Sequence, residues 1–367
     1  MRVLMVTKFY HPRIGGVETT VKELCEHFVS KGHECTVVTM DRELRGKETI
    51  NGVEVVRFPV DTKLLGGLNR HVWKYLTKDL VPGKYDVVHI HSYHILLSAQ
   101  TAYLCHNRRI PYAFSAHYHG KGHTALRNVL FKAYHIAGKR VLAWSEAITS
   151  VSDYEKNLLA RDFPGISSKV TVIPSGIKQF PGLGVERSLD TLLYVGRVTA
   201  YKGIDHVLRA MKALDDRGRI VRLRVVGSGP AQEQLRTLAN DLRIADRVTW
   251  LGDVGDDVLA KEYRGAIALI LLSAAEAYGL VVAEALSCGT PCIVAKQEAL
   301  VEFLPEPGVV GVDYPPDAQK VADAIEGVLD GRLGSPVGPF SDKIASWSKI
   351  ADRYLDFYLK LIAERAR

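Results

Sequence analysis

Residues Ala268–Pro291 read ALILLSAAEAYGLVVAEALSCGTP. The apolar run Ala266–Leu272 predicts a strand buried on both faces of a parallel sheet. Ser273–Gly279 is the small, polar turn after it, and a helix starts near Gly279. The first turns of that helix, Leu280–Leu286, are apolar on every side except at Glu284, whose carboxylate then lies among buried neighbours and needs a polar partner. Glu276 stands eight positions earlier, in the turn. Two carboxylates therefore flank a helix N-terminus whose N–H groups and dipole favour an anion. A ligand that meets all three features has a diphosphate in its middle and a hydroxyl-bearing sugar at each end, which describes a nucleotide sugar. The competing explanation is a pair of ordinary acidic residues near a helix start, stabilised there by about 0.3–1 kcal/mol.

The chain has 367 residues, too many for one ordinary core and suited to two domains of about 170 residues each. Five cysteines, Cys25, Cys35, Cys105, Cys288 and Cys292, form no C-x-x-C pair and are odd in number. That pattern predicts a reducing compartment, the cytoplasm, rather than a disulfide framework. The opening MRVLMVTKFY has too short an apolar core for a signal peptide, and no run approaches the roughly 18 apolar residues of a membrane span. An integral membrane protein is not expected.

Charge is uneven along the chain. Residues 1–174 hold 24 Lys and Arg against 15 Asp and Glu, whereas the remainder holds 24 against 26, and twelve of thirteen histidines also lie in the first part. A basic face meets nucleic acid, anionic lipid or a phosphorylated substrate. No helix-turn-helix, zinc-finger or RNP-type pattern accompanies it, so nucleic acid is the least favoured. Within this part, residues 121–140 carry Lys121, Arg127, Lys132, Lys139 and Arg140 and no acidic residue, with Leu126, Val129, Leu130, Phe131 and Tyr134 at helical spacing. The segment reads as a basic amphipathic helix that docks peripherally on an anionic membrane face or anionic acceptor. The plainer alternative is a helix packed on its own domain.

In chain order, strand Val3–Thr7, a loop through Gly15 and Gly16, helix Val17–Lys31 and strand Glu34–Thr39 form a βαβ unit, with Val17, Val21, Leu24, Cys25 and Phe28 on one helix face. Ile50-Asn51-Gly52-Val53 carries a hairpin signal. Further strands are expected at Val87–His91, Tyr112–Ala116, Ala147–Ser152 and Val170–Ile173. After Pro174-Ser175-Gly176 the plan restarts with strand Leu192–Gly196, a loop holding Arg197 and Lys202, helix Ile204–Leu214 and strand Arg222–Val226. Alternating strands and helices predict parallel, doubly wound sheets. The expected domains are 1–174 and 175–340, two Rossmann-like units, followed by a terminal helix in 341–367.

Arg197 and Lys202 sit five positions apart at a helix start, where they oppose the helix dipole, so an anionic ligand explains them better than solvation alone. Gly15-Gly16 opens a close approach to backbone and helix N-terminus, though two glycines also make a simple tight turn. His117 closes a strand before a glycine turn, where ligands collect in doubly wound sheets. His89, His91, His94, His119 and His123 crowd the same region, but their spacing matches no ordinary zinc pattern, so no metal is expected.

On these residues the sequence resembles the retaining glycosyltransferases of family 4, whose signature approximates P-S-x-x-E-x-x-G-x-x-x-x-E-A before a Gly-x-Pro turn. Ser273, Glu276, Gly279, Glu284, Ala285, Gly289 and Pro291 match, with Leu272 in place of the proline. The resemblance implies a GT-B architecture, in which two Rossmann-like domains, acceptor-side and donor-binding, face a central cleft and the terminal helix packs back on the first domain. It implies hexosyl transfer from a nucleoside diphosphate sugar, UDP or GDP, to an unidentified acceptor hydroxyl, with no cofactor or metal. Arg197 and Lys202 would hold the diphosphate with the Gly279, Leu280 and Val281 helix start. Glu284 would meet the ribose, Glu276 and His117 (with His119 as the alternative histidine) the transferred sugar, Val254 the base, and Gly15 and Gly16 the phosphates and acceptor. One departure stands out: Glu298-Ala299 occupies the place of a diglycine usual in the family. The rival readings are a nucleotide-sugar epimerase or hydrolase on the same fold, and a non-catalytic relative.

Overall fold

A computed structural model describes all residues except 14, 61–69, 121–124, 181–183, 335, 337, 339 and 366–367, and leaves out the side chains of 125–133 and 365. Two compact units divide the described chain: Met1–Gly176 with Trp347–Arg367, and Ile177–Ser346. No helix among the described residues is long and apolar enough to cross a membrane.

The first unit is built on an eight-stranded sheet, β1 (Arg2–Val6), β2 (Glu34–Asp41), β3 (Gly46–Ile50), β4 (Val53–Pro59), β5 (Val87–His91), β6 (Tyr112–Ser115), β7 (Ala147–Ser150) and β8 (Val170–Val172), in the order β3-β4-β2-β1-β5-β6-β7-β8. Every pairing is parallel except the edge hairpin β3–β4, which the Asn51-Gly52 turn closes with both residues at positive φ. Helix Gly16–Ser30 buries Val21, Leu24, Cys25 and Phe28 against the sheet. The terminal helix Trp347–Arg365 belongs to this unit: its Tyr358 ring meets Phe28 edge-on at 5.8 Å. Of the basic segment, helix Ala125–Trp144 is present, Tyr134 is buried, and Ile136, Lys139 and Arg140 are exposed. Lys121 and the side chains of Arg127 and Lys132 lie outside the described residues.

The second unit carries β9 (Thr191–Val195), β10 (Arg222–Val226), β11 (Val248–Gly252), β12 (Ala268–Leu271), β13 (Cys292–Ala295) and β14 (Val309–Val312), all parallel, in the order β11-β10-β9-β12-β13-β14. Central β12 is at most 1 % exposed at each residue, and each buried Leu or Ile contributes about 1.5–3 kcal/mol. Chain order reverses between β9 and β12, which pair directly through Leu192–Ala268 and Leu193–Leu269. The loops leaving their C-terminal ends therefore diverge from one crevice, the place where open parallel sheets gather ligands.

Candidate active site

The β9 loop, Gly196–Gly203, and the β12 turn, Leu272–Gly279, lie against each other at that reversal. Ala274 donates its N–H to the Tyr201 carbonyl at 2.8 Å. At Gly203, φ +73, an added Cβ would stand 2.2 Å from the Leu272 carbonyl oxygen, so only glycine allows the approach. The result is an ion pair between Lys202 Nζ and Glu276 Oε1, both side chains mostly buried. Lys202 also lies over the Tyr201 ring at 5.4 Å. Arg197 is exposed and donates from Nη2 to the Tyr201 hydroxyl at 3.1 Å, while the Tyr194 hydroxyl donates to the Arg197 carbonyl at 2.9 Å. Gly227 and Gly229 serve packing: a Cβ there would strike the Gly196 and Val198 carbonyl oxygens.

The helix expected near Gly279 runs Leu280–Ser287, with Gly279 in the left-handed region at φ +108. Its first N–H groups, at Leu280 and Val281, have no intrahelical acceptor. Glu284 is 7 % exposed. The polar partner its burial demands is Tyr263, whose hydroxyl donates to Oε2 at 2.7 Å. Burial pushes the Glu284 carboxyl up to about 7, with the Tyr263 bond and the charge of Lys178 pulling the other way. Val254 is half-buried, next to Asp253, which accepts from Ser228 at 3.1 Å.

The turn holding Glu276 is braced from a third side. Glu298, at φ +48, accepts the Glu276 N–H on Oε2 at 3.0 Å, and Ala299 returns its N–H to the Glu276 carbonyl at 3.4 Å. Glu298 begins the short 3₁₀ helix Glu298–Phe303, whose Leu300 and Phe303 pack on Gly279.

In the first unit His117 follows β6 at φ +45. Its Nε2 lies 3.4 Å from Nδ1 of fully buried His91, and the two rings stack at 5.7 Å. His91 Nε2 is buried with no hydrogen-bond partner among the described residues. His89 joins the Tyr358 hydroxyl at 2.6 Å and Ser115 Oγ at 2.8 Å. Burial pushes His89 down to about 3 and His117 to about 4, the nearby His119 charge adding to the latter, so both rings are neutral near pH 7. The amide after His117 is held too: Tyr118 N–H donates to Glu155 Oε1 at 2.7 Å, and Val151 N–H to Oε2 at 2.8 Å. Gly15 precedes helix Gly16–Ser30 in an extended conformation, and no side chain caps that helix start. Among the described residues no three His, Cys, Asp or Glu converge as a metal site.

The structure thus joins Lys202 to Glu276 and sets both beside the Gly279 helix start, all in the second unit with Arg197, Val254 and Glu284. Gly15, Gly16 and His117 stand in the first. Sequence reasoning did not find Tyr263, His91 as a partner of His117, or Glu155; each lies far from its partner along the chain. Glu298 carried a signal, its place where glycine is usual.

Comparison with known proteins gives this geometry a family. Residues 14–178 match Glycosyltransferase Family 4 and residues 178–343 match Glycosyl transferases group 1. An uncharacterized glycosyltransferase of Methanocaldococcus jannaschii is 31 % identical over 90 % of this chain and 89 % of its own. A D-inositol 3-phosphate glycosyltransferase of Actinosynnema mirum is 29 % identical over 76 % and 73 %. Among solved structures, a sucrose-phosphate synthase from Thermosynechococcus elongatus superposes with a TM-score of 0.81 at 21 % identity over 99 % of both chains. Anabaena HepE, solved with UDP and glucose, superposes at 0.73 and 17 % identity over 97 % and 98 %. The chain belongs to the family 4 type of glycosyltransferases and has the GT-B fold. It is a glycosyltransferase.

Proposed function

We propose that the protein transfers a hexosyl group from a nucleoside diphosphate sugar, UDP or GDP, to an acceptor hydroxyl with retention at the anomeric carbon and without a metal. The observation that supports this most is the Lys202–Glu276 ion pair at the sheet's reversal point, beside a helix N-terminus. A diphosphate arriving there exchanges one partner of Lys202 for a doubly charged one and gains the Leu280 and Val281 N–H groups. Arg197 adds a second cation. As the bond from the anomeric carbon to the diphosphate oxygen breaks, its electron pair leaves with the phosphate, and these preorganised donors stabilise the charge. The acceptor oxygen attacks the same face and gives its proton to the departing phosphate oxygen. Glu276 accepts hydroxyls of the transferred sugar, Glu284 those of the ribose, and Val254 lines the base. His117, neutral, bonds the sugar, and Gly15-Gly16 leaves room for phosphate and acceptor. In this reading the first unit serves the acceptor and the second the donor, and the protein works in the cytoplasm, its exposed Ile136, Lys139 and Arg140 meeting an anionic membrane face.

A thermal-shift screen of UDP and GDP sugars tests the reading, since a ligand at 100 times its Kd stabilises by about 2.7 kcal/mol. NMR of the product should show the donor's anomeric configuration. Inverted product, or free or epimerised sugar formed at full rate without acceptor, overturns it.

A further inference from the structure

We infer that Tyr263 is a positioning residue for the donor: its hydroxyl keeps the Glu284 carboxylate a charged hydrogen-bond acceptor for the ribose. The inference rests on the donor reading above. Helix Leu280–Ser287 carries no charge but Glu284, which is almost wholly buried. A carboxylate left alone in such a place takes up a proton, and its bonds to a ligand hydroxyl lose about half their strength. Tyr263 is the carboxylate's only hydrogen-bond partner among the described residues, donating to Oε2 at 2.7 Å. Against burial, that bond pulls the Glu284 carboxyl down most strongly, ahead of the charge of Lys178. Lys178 is itself held by Asp256 at 2.8 Å from both oxygens, and the Asp256 charge pushes Glu284 the other way. The thiols of Cys288 and Cys292 are pushed up by burial and stay uncharged near neutral pH.

The tyrosine is fixed from several sides. It is fully buried, its ring meets Phe180 at 5.6 Å, and its carbonyl, among the last of helix Asp256–Gly265, accepts the Thr290 hydroxyl. That helix is therefore tied both to Glu284 and to the turn after the Glu284 helix. Burial, with the Glu284 charge beside it, holds the Tyr263 hydroxyl well above its ordinary value, so it keeps its proton and donates. Without the hydroxyl, Oε2 would be buried and unpartnered, and the carboxyl would hold its proton to higher pH. The loss is one of charge state, so raising the pH restores it. A purely structural role would instead cost the same at every pH.

The test measures calorimetric Kd values between about pH 5.5 and 8.5. UDP-glucose, UDP-galactose and GDP-mannose are the probes, because a diphosphate esterified at both ends has no proton to lose in this range. For the probe that the wild type binds, affinity should rise with pH and level off near about pH 7, and Glu284→Gln should flatten the rise. Tyr263→Phe, which keeps the ring, should bind about 5-fold more weakly near pH 7 and within about 2-fold of wild type near pH 8.5, its levelling moved up by about one pH unit. In the Glu284→Gln background the same change should alter affinity by less than about 2-fold. Replacing Tyr263 with 3-fluorotyrosine, a stronger donor of nearly the same size, should move the levelling down, and it decides alone if the phenylalanine variant fails to fold. No loss in Tyr263→Phe, a loss equal at every pH, or the same loss in the Glu284→Gln background overturns the inference while leaving the transferase reading intact. If Glu284→Gln binds like wild type throughout, the ribose assignment falls and the inference with it. If no nucleotide sugar binds, the donor reading itself falls.

Discussion

The two units hold their candidate side chains by opposite means. After β12 the holding groups are charged and exchangeable: Lys202 pairs with Glu276, and Arg197 stays exposed on Tyr201. After β6 they are buried: His117 leans on the neutral ring of His91, and its following amide is fixed by Glu155. Under the proposed function the difference follows from what each would meet. A diphosphate brings charge, so its site needs cations whose present partners a ligand can replace. A sugar hydroxyl brings direction, so its contact needs a fixed, uncharged ring.

Removing a cation should break this comparison most. Lys202→Ala and Arg197→Ala should each lower the transfer rate about 10²-fold or more, by the loss of one preorganised partner to developing charge. Activity should also survive EDTA. A strict requirement for Mg²⁺ or Mn²⁺, or Lys202→Ala turning over normally, would show that the charges serve only the fold.

Next comes the split between the two carboxylates. Glu276→Ala should chiefly lower kcat, whereas Glu284→Ala should weaken nucleoside diphosphate binding about 10-fold, as loss of a hydrogen bond to a charged group does. Calorimetry on both variants decides, and equal, unchanged affinity would reject the assignment. Glu284 also predicts a pH effect. Its carboxyl and that of Glu155 are each held at about 7 by burial, against 4.5 for a free glutamate. The folded chain then binds more protons than the unfolded one in this interval. Their contribution is complete below about pH 4.5 and is lost as pH rises through about 7. Glu284→Gln should shrink the fall in Tm between pH 5 and 8, and flatten the rise of nucleotide affinity with pH.

A smaller effect is expected in the neutral half. Gln at position 155 keeps one acceptor for the two N–H groups of Tyr118 and Val151, so Glu155→Gln should cost about 10-fold in kcat with nucleotide affinity unchanged. A change in affinity alone would mean that Glu155 supports the fold without orienting His117. The smallest effect concerns the surface. Each Lys or Arg near an anionic leaflet contributes about 1 kcal/mol, so Lys139→Glu with Arg140→Glu should reduce sedimentation with phosphatidylserine vesicles at low salt. Wild type remaining in the supernatant there would remove the membrane from the account.

The central strand, turn and helix could be read from sequence because everything that defines them is contiguous: a short apolar run, small residues, a glycine, a helical repeat. Doubly wound topology followed from strand and helix alternation. The partners could not be read, because sheet order decides them. Lys202 and Glu276 are 74 positions apart, Glu155 and Tyr118 37, and Tyr263 and Glu284 21. Each pair meets only after the parallel strands have stacked. The burial of Glu284 announced that a partner was needed, but the charge-rich helix around Tyr263, Asp256–Gly265, gave no sign that its hydroxyl would be the one. Glu298 was visible as an exception to a pattern, while its left-handed backbone and its bond to Glu276 were not.

The last helix, Trp347–Arg365, completes a unit begun at Met1. During synthesis the first 176 residues therefore leave the ribosome without the helix that covers Phe28 and supplies the Tyr358 hydroxyl to His89. Residues 177–346 form an uninterrupted unit that can close first. The first unit waits with its histidine seam uncapped until residues 347–365 have been made, so a stop codon just before Trp347 would injure the unit that begins the chain and leave residues 177–346 whole.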